Sequence, residues 1–402
     1  MVEARNIRSA RRDKDDKRLS FAICAIIVGL FITNISVALG KMVGVSSSTV
    51  ALLCKVFILL TLVICVPTII RRLNVLLVLT VCVMVSVIAF NYVFFPSTRG
   101  IFTETASTFI MTIFPGMICF MLLENYELCL NKLVRMAYFI AIFNAVFCLL
   151  SGKIQFDSSY SMGYANAVIL PTNILIYALF KRKQKVITKI LTLALIATNI
   201  IGVMVYGSRG ALAAIAVFFL VYGAKVFGKK IKPGFKVIIA LLLSLCVIFY
   251  KQIFTVVYNI VKAMGFDSRT LYLFTTNIGH DSGRGELWNK ILDDFWSNPF
   301  IMRGINADYL VVNGYSHNFF LELLYSLGIL LGGAFSIYVI YQIIRTVRSR
   351  STSFDIVRLL ALFSFFPLCL WSLSVWTSSY FWLWIVMCWR EKKFKDTQEI
   401  SL

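Results

Sequence analysis

The sequence predicts an all-α polytopic membrane protein, with about twelve transmembrane helices and one large external loop that carries short amphipathic helices. Composition is the first indication: of 402 residues, 59% are hydrophobic and 15% charged, and the mean hydropathy is +0.83. Second, the apolar residues form runs of about 20, the length that a helix needs to cross roughly 30 Å of hydrocarbon. Third, a single long polar stretch, residues 251–316, interrupts these runs.

The chain begins with a charged segment, residues 1–19, in which Asp13, Asp15 and Asp16 lie among seven Lys and Arg residues. This segment is too charged for a secretory signal, so we predict a cytoplasmic tail. Nine spans follow in residues 20–250 and three in residues 317–389, and residues 390–402 form a second tail. The predicted spans are 20–39, 49–70, 73–95, 101–123, 133–150, 161–180, 186–206, 209–227, 233–250, 317–343, 355–374 and 376–389.

Basic residues are distributed unevenly between the two sides. With the N-terminus inside, the inner loops, tails and helix ends hold 29 Lys and Arg, the outer side holds ten, and Lys55 lies within a span. This asymmetry predicts that both termini are cytoplasmic and that the 251–316 loop is external. It also explains the net charge of +21, because the excess basic residues lie on the cytoplasmic side and face anionic lipid headgroups. We therefore predict no nucleic-acid partner.

The loop between the ninth and tenth spans is far longer than a connection requires, and such loops are usually functional. Within it, residues 286–296 predict an amphipathic helix that Ser297, Asn298 and Pro299 end. A weaker amphipathic segment covers residues 254–264. These helices either cap the bundle at the headgroup level or support a site. The apolar stripe of the first is Leu287, Trp288, Ile291, Leu292, Phe295 and Trp296.

Two arginines and a histidine are candidates for an anion site on the outer face. A group-transfer reaction on the outer face of a membrane must use a substrate bond that was activated beforehand. Lipid-linked diphosphates are the usual carriers of such activated groups. Arg209 and His317 begin predicted helices whose N-termini face outward, where backbone N–H groups favour anions. Arg284 has glycines on both sides, and a guanidinium binds phosphate oxygens in a bidentate manner. Glu322 lies one turn inside the helix that His317 begins, where an ionisable group is costly.

Each candidate also has a purely structural interpretation. In this interpretation, the Arg209 side chain only extends to the membrane–water interface, Arg284 forms a salt bridge within the loop, and His317 only starts a helix. His280, the second of the two histidines, lacks neighbours comparable to Asn318 and Glu322, so we assign it no role. The ten cysteines form neither a disulfide framework nor a zinc site, and we predict no metal.

Short motifs in this region resemble those of the O-antigen polymerase and ligase superfamily. They are Ser-Arg-Gly at residue 208, Gly-Arg-x-x-x-Trp at 283, Asn-Pro-Phe at 298, Arg-Gly-Ile-Asn at 303 and His-Asn-x9-Gly at 317. The resemblance covers roughly residues 206–333 and, in span count, the whole chain. One departure concerns the small residue often expected three positions after Gly328, where this chain has Leu331.

The resemblance implies a metal-independent, cofactor-free membrane glycosyltransferase of the bacterial cytoplasmic (inner) membrane, with its active site on the external, periplasmic side. The donor is an undecaprenyl diphosphate-linked oligosaccharide, and the acceptor is a lipid-linked repeat unit. The product is O-antigen or capsule, a step in lipopolysaccharide or other polysaccharide biosynthesis. Inversion at the anomeric carbon is expected by analogy, and a chain-length regulator and a flippase are further candidate partners.

We assign roles on this basis. Arg209 and Arg284 hold the donor diphosphate, and His317 accepts the proton of the acceptor hydroxyl. Glu322 either orients His317 or acts as the base itself. The remaining substrate-binding candidates are Asn318, Arg303, Trp288 and Tyr309.

Two rivals to a polymerase remain. A ligase of the same superfamily transfers finished polysaccharide to a lipid core or a protein, and the sequence offers nothing that excludes it. A lipid-linked oligosaccharide flippase or transporter also has twelve spans, but such proteins more often show internal repeats and deeply buried charges. The two halves of this chain show no repeat, so we favour the polymerase.

Overall fold

The structure is a computed structural model. It describes residues 2–43, 46–150, 158–181, 184–206, 208–227, 241, 244–245, 248–263, 265, 268–276, 283–370 and 372–390. In this part of the chain every regular element is a helix and there is no strand, which confirms the all-α membrane fold. The ninth predicted span, residues 233–250, lies largely outside the described residues.

Nine helices precede the long loop: α1 (Val2–Val43), α2 (Ser47–Arg71), α3 (Val75–Phe94), α4 (Arg99–Thr108), α5 (Phe114–Leu122), α6 (Tyr126–Leu150), α7 (Ser158–Leu179), α8 (Val186–Tyr206) and α9 (Arg209–Phe227). The loop carries α10 (Tyr250–Ala263), α11 (Arg269–Thr276), α12 (Arg284–Ser297) and α13 (Asp308–Val312). Three more helices follow: α14 (Phe319–Arg348), α15 (Ser353–Cys369) and α16 (Ser379–Trp389).

Seven segments of the described chain are long and apolar enough to cross a membrane. They are α2, α3, the continuous segment Pro96–Leu122, the first part of α6, α8, α9 and α14. Two shorter apolar helices, Ala165–Leu179 and Ser379–Trp389, correspond to the sixth and twelfth predicted spans. A helix as short as α16 does not span hydrocarbon on its own, and its residues 381–388 are all buried among other helices.

The bundle has a protein core and a lipid-facing exterior. Helices α15 and α16 form the centre, where nearly every side chain is buried, including the large rings of Phe365, Phe381 and Trp384. By contrast, α2 and α3 expose apolar side chains such as Leu53, Val63 and Leu79. A row of exposed apolar groups this long is stable only against hydrocarbon. These helices therefore lie at the lipid-facing edge.

The helices alternate in direction, so the bundle has two distinct ends. At one end, Arg72 donates to the carbonyl of Leu122 (2.9 Å), and Lys225 donates to that of Ser349 (2.8 Å). We call this the basic end. At the opposite end, the backbone N–H of Ile305 in the long loop donates to Asn91 at the end of α3 (2.7 Å). We call this the loop end.

The charged segment before the first predicted span is part of α1, which runs through it without a break. Leu19, Ile23 and Ile26 on this helix are buried, at the three- and four-residue spacing of a helix that packs along one face. Asp15 and Asp16 lie on the same helix and form ion pairs with Arg71 and Arg72. These pairs connect the segment to the rest of the bundle.

Candidate active site at the loop end

His317 precedes the tenth predicted span in a strained conformation. The side chain of Asn318 accepts hydrogen bonds from the N–H groups of Phe320 (3.1 Å) and Leu321 (3.2 Å), so Asn318 is the N-cap and α14 begins one residue later. The φ of His317 is +53°, a left-handed value that costs energy for a residue with a side chain. The chain turns sharply here and holds the imidazole at the mouth of α14.

The imidazole is held against its neighbours. Its ring lies 4.1 Å from that of Tyr315, whose hydroxyl donates to the carbonyl of Ser372 (2.8 Å). Burial lowers the pKa of His317, the nearby charge of Arg284 lowers it further, and the backbone of Ser372 offsets part of this effect. Nδ1 is buried and has no hydrogen-bond partner in the described part of the chain. The imidazole is therefore neutral at pH 7 and able to accept a proton.

Arg284 approaches His317 from the long loop. It is the first residue of α12, after Gly283, which adopts a left-handed φ of +80° that suits glycine. One turn later, the indole N–H of Trp288 donates to the carbonyl of Ser316 (2.8 Å). This bond fixes α12 to the residue before His317, so the loop helix supports the site. Trp288, which is a predicted substrate-binding residue, therefore also has this structural role.

Arg209 begins α9, as predicted, and the start of this helix lies beside the same segment. A Cβ placed on Gly210 would lie 3.7 Å from the hydroxyl of Ser372, the residue whose carbonyl accepts from Tyr315. The structure thus brings the starts of α9 and α12 and the residues before α14 together around Ser372. Arg269, which the sequence motifs did not reveal, is an electrostatic neighbour of Arg209 at the start of α11.

Glu322 is fully buried but does not bond His317. Its carboxylate accepts from the hydroxyl of Ser374 and the N–H of Val375 (2.9 Å). This arrangement differs from the expectation that Glu322 orients the imidazole. Its contacts instead hold the chain that follows Ser372.

Asp308 is a buried carboxyl that sequence reasoning missed. It is fully buried, and its Oδ2 accepts the backbone N–H of Ser316 (2.7 Å), while Oδ1 has no partner among the described residues. Burial raises the pKa of Asp308 to about 6, although hydrogen bonds from Ser316 and Tyr309 oppose this shift. Together with Trp288, Asp308 fixes the position of Ser316. No motif marks Asp308, because only tertiary packing buries this part of the loop.

Tyr309 lies half-buried beside this carboxyl. Burial raises its pKa, and the negative charges of Asp308, Glu322 and Glu104 raise it further. Its ring is 6.1 Å from that of Tyr315. Tyr309, Tyr315 and His317 thus form a row of rings at the loop end, a surface on which a sugar can stack.

Arg303, which is predicted to bind substrate, has partners within the protein. Its guanidinium pairs with Asp294 (3.1 Å) and lies 4.8 Å from the ring centre of Tyr325. Tyr325 in turn donates to the carboxylate of Asp294 (2.6 Å). These contacts hold the end of α12 against α14 and occupy the Asp294 carboxylate. The described residues contain no group of three or more His, Cys, Asp or Glu placed to bind a metal ion.

The last motif glycine, Gly328, breaks α14. Its φ of +71° and ψ of 168° are essentially restricted to glycine, and an added Cβ would lie 2.9 Å from the carbonyl oxygen of Phe300. At this break the N–H of Ile329 donates to the carbonyl of Pro299 (2.8 Å). The N–H groups of Arg303 and Gly304 both donate to the carbonyl of Ser326 (3.1 and 3.0 Å). The Asn-Pro-Phe and Arg-Gly-Ile-Asn motifs thus dock on the broken helix.

The departure at Leu331 is accommodated by the next residue. Leu331 is 55% exposed, whereas a Cβ on Gly332 would lie 2.5 Å from the carbonyl oxygen of Leu323. Gly332 therefore provides the small residue that close packing beyond the break requires.

A family model described as O-antigen ligase matches residues 191–336, from α8 into α14. The match includes Arg209, Arg284 and His317 and confirms the resemblance drawn from the motifs. No curated protein and no solved structure matches the chain significantly. Members of the matched family are membrane enzymes of the glycosyltransferase kind that act on lipid-linked oligosaccharides. Within an all-helical membrane protein, residues 191–336 are thus similar to the O-antigen ligase family, consistent with the O-antigen polymerase and ligase superfamily.

Proposed function

We propose that the chain is a polysaccharide polymerase. It transfers a glycan from undecaprenyl diphosphate to a hydroxyl of a second lipid-linked repeat unit at the outer face of the bacterial cytoplasmic membrane. One observation carries the proposal: Arg284, His317 and the N-terminus of α9 converge around Ser372 at the loop end.

The cations of this site suit a diphosphate. Arg209 has Arg269 as an electrostatic neighbour, and the charge of Arg284 acts on His317. A cluster of like charges attracts an anion, and guanidinium groups bind phosphate oxygens strongly. Arg209 and Arg284 then stabilise the negative charge that grows on the diphosphate as the glycosidic bond breaks, without a metal ion.

His317 is the proposed base. The acceptor hydroxyl gives its proton to the neutral imidazole while its oxygen forms the new bond to the anomeric carbon. The bond from that carbon to the diphosphate oxygen breaks, and its electron pair leaves with the diphosphate, which needs no general acid because it is stable as an anion. Direct displacement of this kind inverts the anomeric carbon. The contacts of Glu322 with Ser374 and Val375 favour His317 over Glu322 as the base.

A ligase is the second candidate, and the description of the matched family favours it. It uses the same donor and the same proton transfer, and differs in the acceptor, a finished lipid core or a protein. Arg209, Arg284 and His317 act on the donor and the hydroxyl in both reactions, so these residues serve either function.

Glycan profiling of a deletion strain, with and without the wild-type gene restored, tests the proposal. A polymerase predicts that the deletion leaves a single repeat unit on the surface. Full-length polymer still attached to its lipid carrier would instead establish the ligase, and an intermediate left on the cytoplasmic side would establish a transporter.

The proposed reaction requires the loop end to be external and both chain termini to be cytoplasmic. A reporter that is active only outside the cytoplasm tests this when it is inserted after Asn313, an exposed residue of the long loop. We expect activity there and none for the same reporter fused to the C-terminus. The reverse pattern would exclude the proposed active site.

A further inference from the structure

The basic end contains a cavity of about 860 Å³ that the proposed transfer does not use. It lies between α1, the turn from α2 to α3, the end of α5 and the end of α16. Five guanidinium-bearing residues line it: Arg11, Arg12, Arg71, Arg72 and Arg390. The cavity is therefore a second concentration of positive charge, at the opposite end of the bundle from the candidate active site.

The walls of this cavity are held by buried ion pairs. Asp15 accepts hydrogen bonds from Arg71 (3.3 Å) and Thr68 (2.8 Å), and these bonds outweigh the effect of burial and hold its pKa below the usual value. Asp16 pairs with Arg72 (2.7 Å) and also accepts the backbone N–H of Glu124 (2.9 Å). The walls are thus joined through side chains of α1, and the cavity is formed before any ligand enters.

The cavity retains positive charge after these pairs are counted. Its lining holds five arginines against Asp15 and Glu124, and Asp16 behind Arg72 brings the acidic groups to three, so the formal net charge is 5 − 3 = +2. Arg11 and Arg12 are exposed at the rim, where they reach a ligand most easily. This excess favours an anion.

One wall of the cavity is apolar and faces outward. Leu73, Val75 and Leu76 line it and are 60%, 74% and 40% exposed, and Trp389 also contributes to the lining. Exposed apolar groups next to a tryptophan and a basic cluster are typical of the boundary between headgroups and hydrocarbon. A free anion would contact the arginines alone, whereas a phospholipid would contact both the arginines and the apolar wall.

We propose that this cavity binds the headgroup of an anionic phospholipid, with its phosphate at Arg11 and Arg12 and an acyl chain along Leu73, Val75 and Leu76. Guanidinium groups suit the phosphate oxygens, and basic pockets between transmembrane helices are established places for such headgroups. The bound lipid joins α1 to the turn after α2. This inference is independent of the reaction proposed for the loop end.

Thermal unfolding of the purified full-length chain in an uncharged detergent tests the proposal. Phosphatidylglycerol, phosphatidylcholine or inorganic phosphate is added to the wild type, to an Arg11→Gln/Arg12→Gln variant and to a matched control, Arg348→Gln/Arg350→Gln. The control removes two exposed arginines beyond the lining of the cavity, at the end of α14. The phosphatidylglycerol that co-purifies with each protein is counted by mass spectrometry.

We expect phosphatidylglycerol to raise the unfolding temperature of the wild type and the control more than phosphatidylcholine does. In the Arg11→Gln/Arg12→Gln variant, the concentration needed for half of this shift rises on the order of tenfold, and co-purified phosphatidylglycerol decreases. Equal shifts from both lipids, or equal losses in variant and control, would overturn the proposal. A shift of the same size from inorganic phosphate alone would also overturn it, in favour of a free-anion site.

Discussion

The two ends of the bundle differ in how their charged side chains are arranged relative to one another. At the basic end, buried carboxylates face guanidinium groups, as in the pairs of Asp15 with Arg71 and Asp16 with Arg72. At the loop end, Arg209 and Arg269 are electrostatic neighbours of the same charge, and the charge of Arg284 helps to keep His317 neutral by lowering its pKa. Opposite charges in contact stabilise the fold, whereas like charges in proximity favour an incoming anion.

The backbone shows the same contrast. All non-glycine residues with positive φ in the described chain lie in the segment that leads to α14: Asn306, Asn313 and His317. Strain of this kind persists only where the surroundings enforce it, and it concentrates at functional sites. The ion pairs of the basic end therefore stabilise the fold, whereas the backbone strain of the loop end fits the active site proposed there.

Removing a cation from the loop end should have the largest effect. We expect Arg284→Ala, and likewise Arg209→Ala, to abolish surface polymer with an activity loss of at least about 10²- to 10³-fold. Arg284→Lys should also have low activity, because the point charge of lysine does not replace the bidentate hydrogen bonds of a planar guanidinium group. Expression and membrane insertion should persist.

Lys290→Ala is the matched control, since Lys290 lies on the exposed face of the same helix as Arg284. It should leave the polymer unchanged on a silver-stained or immunoblotted gel. Full-length polymer from Arg284→Ala cells would remove Arg284 from the site and weaken the contrast between the two ends.

At the basic end, breaking an ion pair should affect folding rather than chemistry. Arg72→Ala leaves Asp16 buried without its partner, at a cost of about 3–5 kcal/mol. The amount of folded protein, measured by size-exclusion chromatography in detergent, should fall sharply. Activity per folded molecule should stay close to wild type, and a specific loss of activity would show that the two ends are coupled.

The break in α14 offers a matched pair of glycines. Gly328→Ala forces a side chain into a left-handed φ against the Phe300 carbonyl, which we expect to destabilise the protein by about 3 kcal/mol. Gly333→Ala places its methyl group where no atom lies within 4 Å, and it should be neutral. Unfolding temperatures of the two variants measure the difference, and equal values would mean that the break is not required.

Asp308 gives the smallest and most pH-dependent effect. Its pKa is raised from 3.8 to about 6, so the stability lost through ionisation of this carboxyl grows as pH rises from 3.8 to about 6, is complete above that range and is regained as pH falls. Asp308→Asn keeps an acceptor for the N–H of Ser316 and should stabilise the protein on the order of 2 kcal/mol at pH 7.5.

The advantage of Asp308→Asn should narrow at pH 5 and below, because the wild-type carboxyl is then neutral as well. Unfolding temperatures of both proteins across this range provide the measurement. A constant difference between them would show that Asp308 does not titrate in this window.

The sequence predicted the features that depend on local patterns. Apolar runs predicted the helices, and the start of α9 at Arg209 follows from its motif and from the end of the preceding apolar run. The amphipathic stripe of α12 was correct for Ile291 and Phe295, which are buried, whereas Trp296 is 62% exposed. The spacing of apolar residues predicts which face of a helix is buried. It does not predict how far along the helix the surface that covers this face extends, which is why Trp296 was predicted wrongly.

Features that depend on tertiary contacts were beyond the sequence. Asp308 lies in the long loop, where the sequence alone predicts an exposed carboxyl, and it is buried because α14 packs against this part of the loop. Arg303 resembled a ligand-binding cation, but its position beside Asp294 and Tyr325 depends on how α12 crosses the break in α14. Such pairings join residues far apart in the chain, so no local pattern reveals them.

The central claim is that a neutral His317 accepts the proton of the acceptor hydroxyl beside a diphosphate held by arginines. The pH dependence of glycan transfer, by the purified chain in liposomes supplied with lipid-linked repeat units, tests it most directly. The pKa of His317 is lowered from 6.5, so the rate should hold through pH 7 and fall only at more acidic pH, as the imidazole gains a proton. His317→Gln should lose both the activity and this acid limb, and an active variant with an unchanged pH profile would contradict the account.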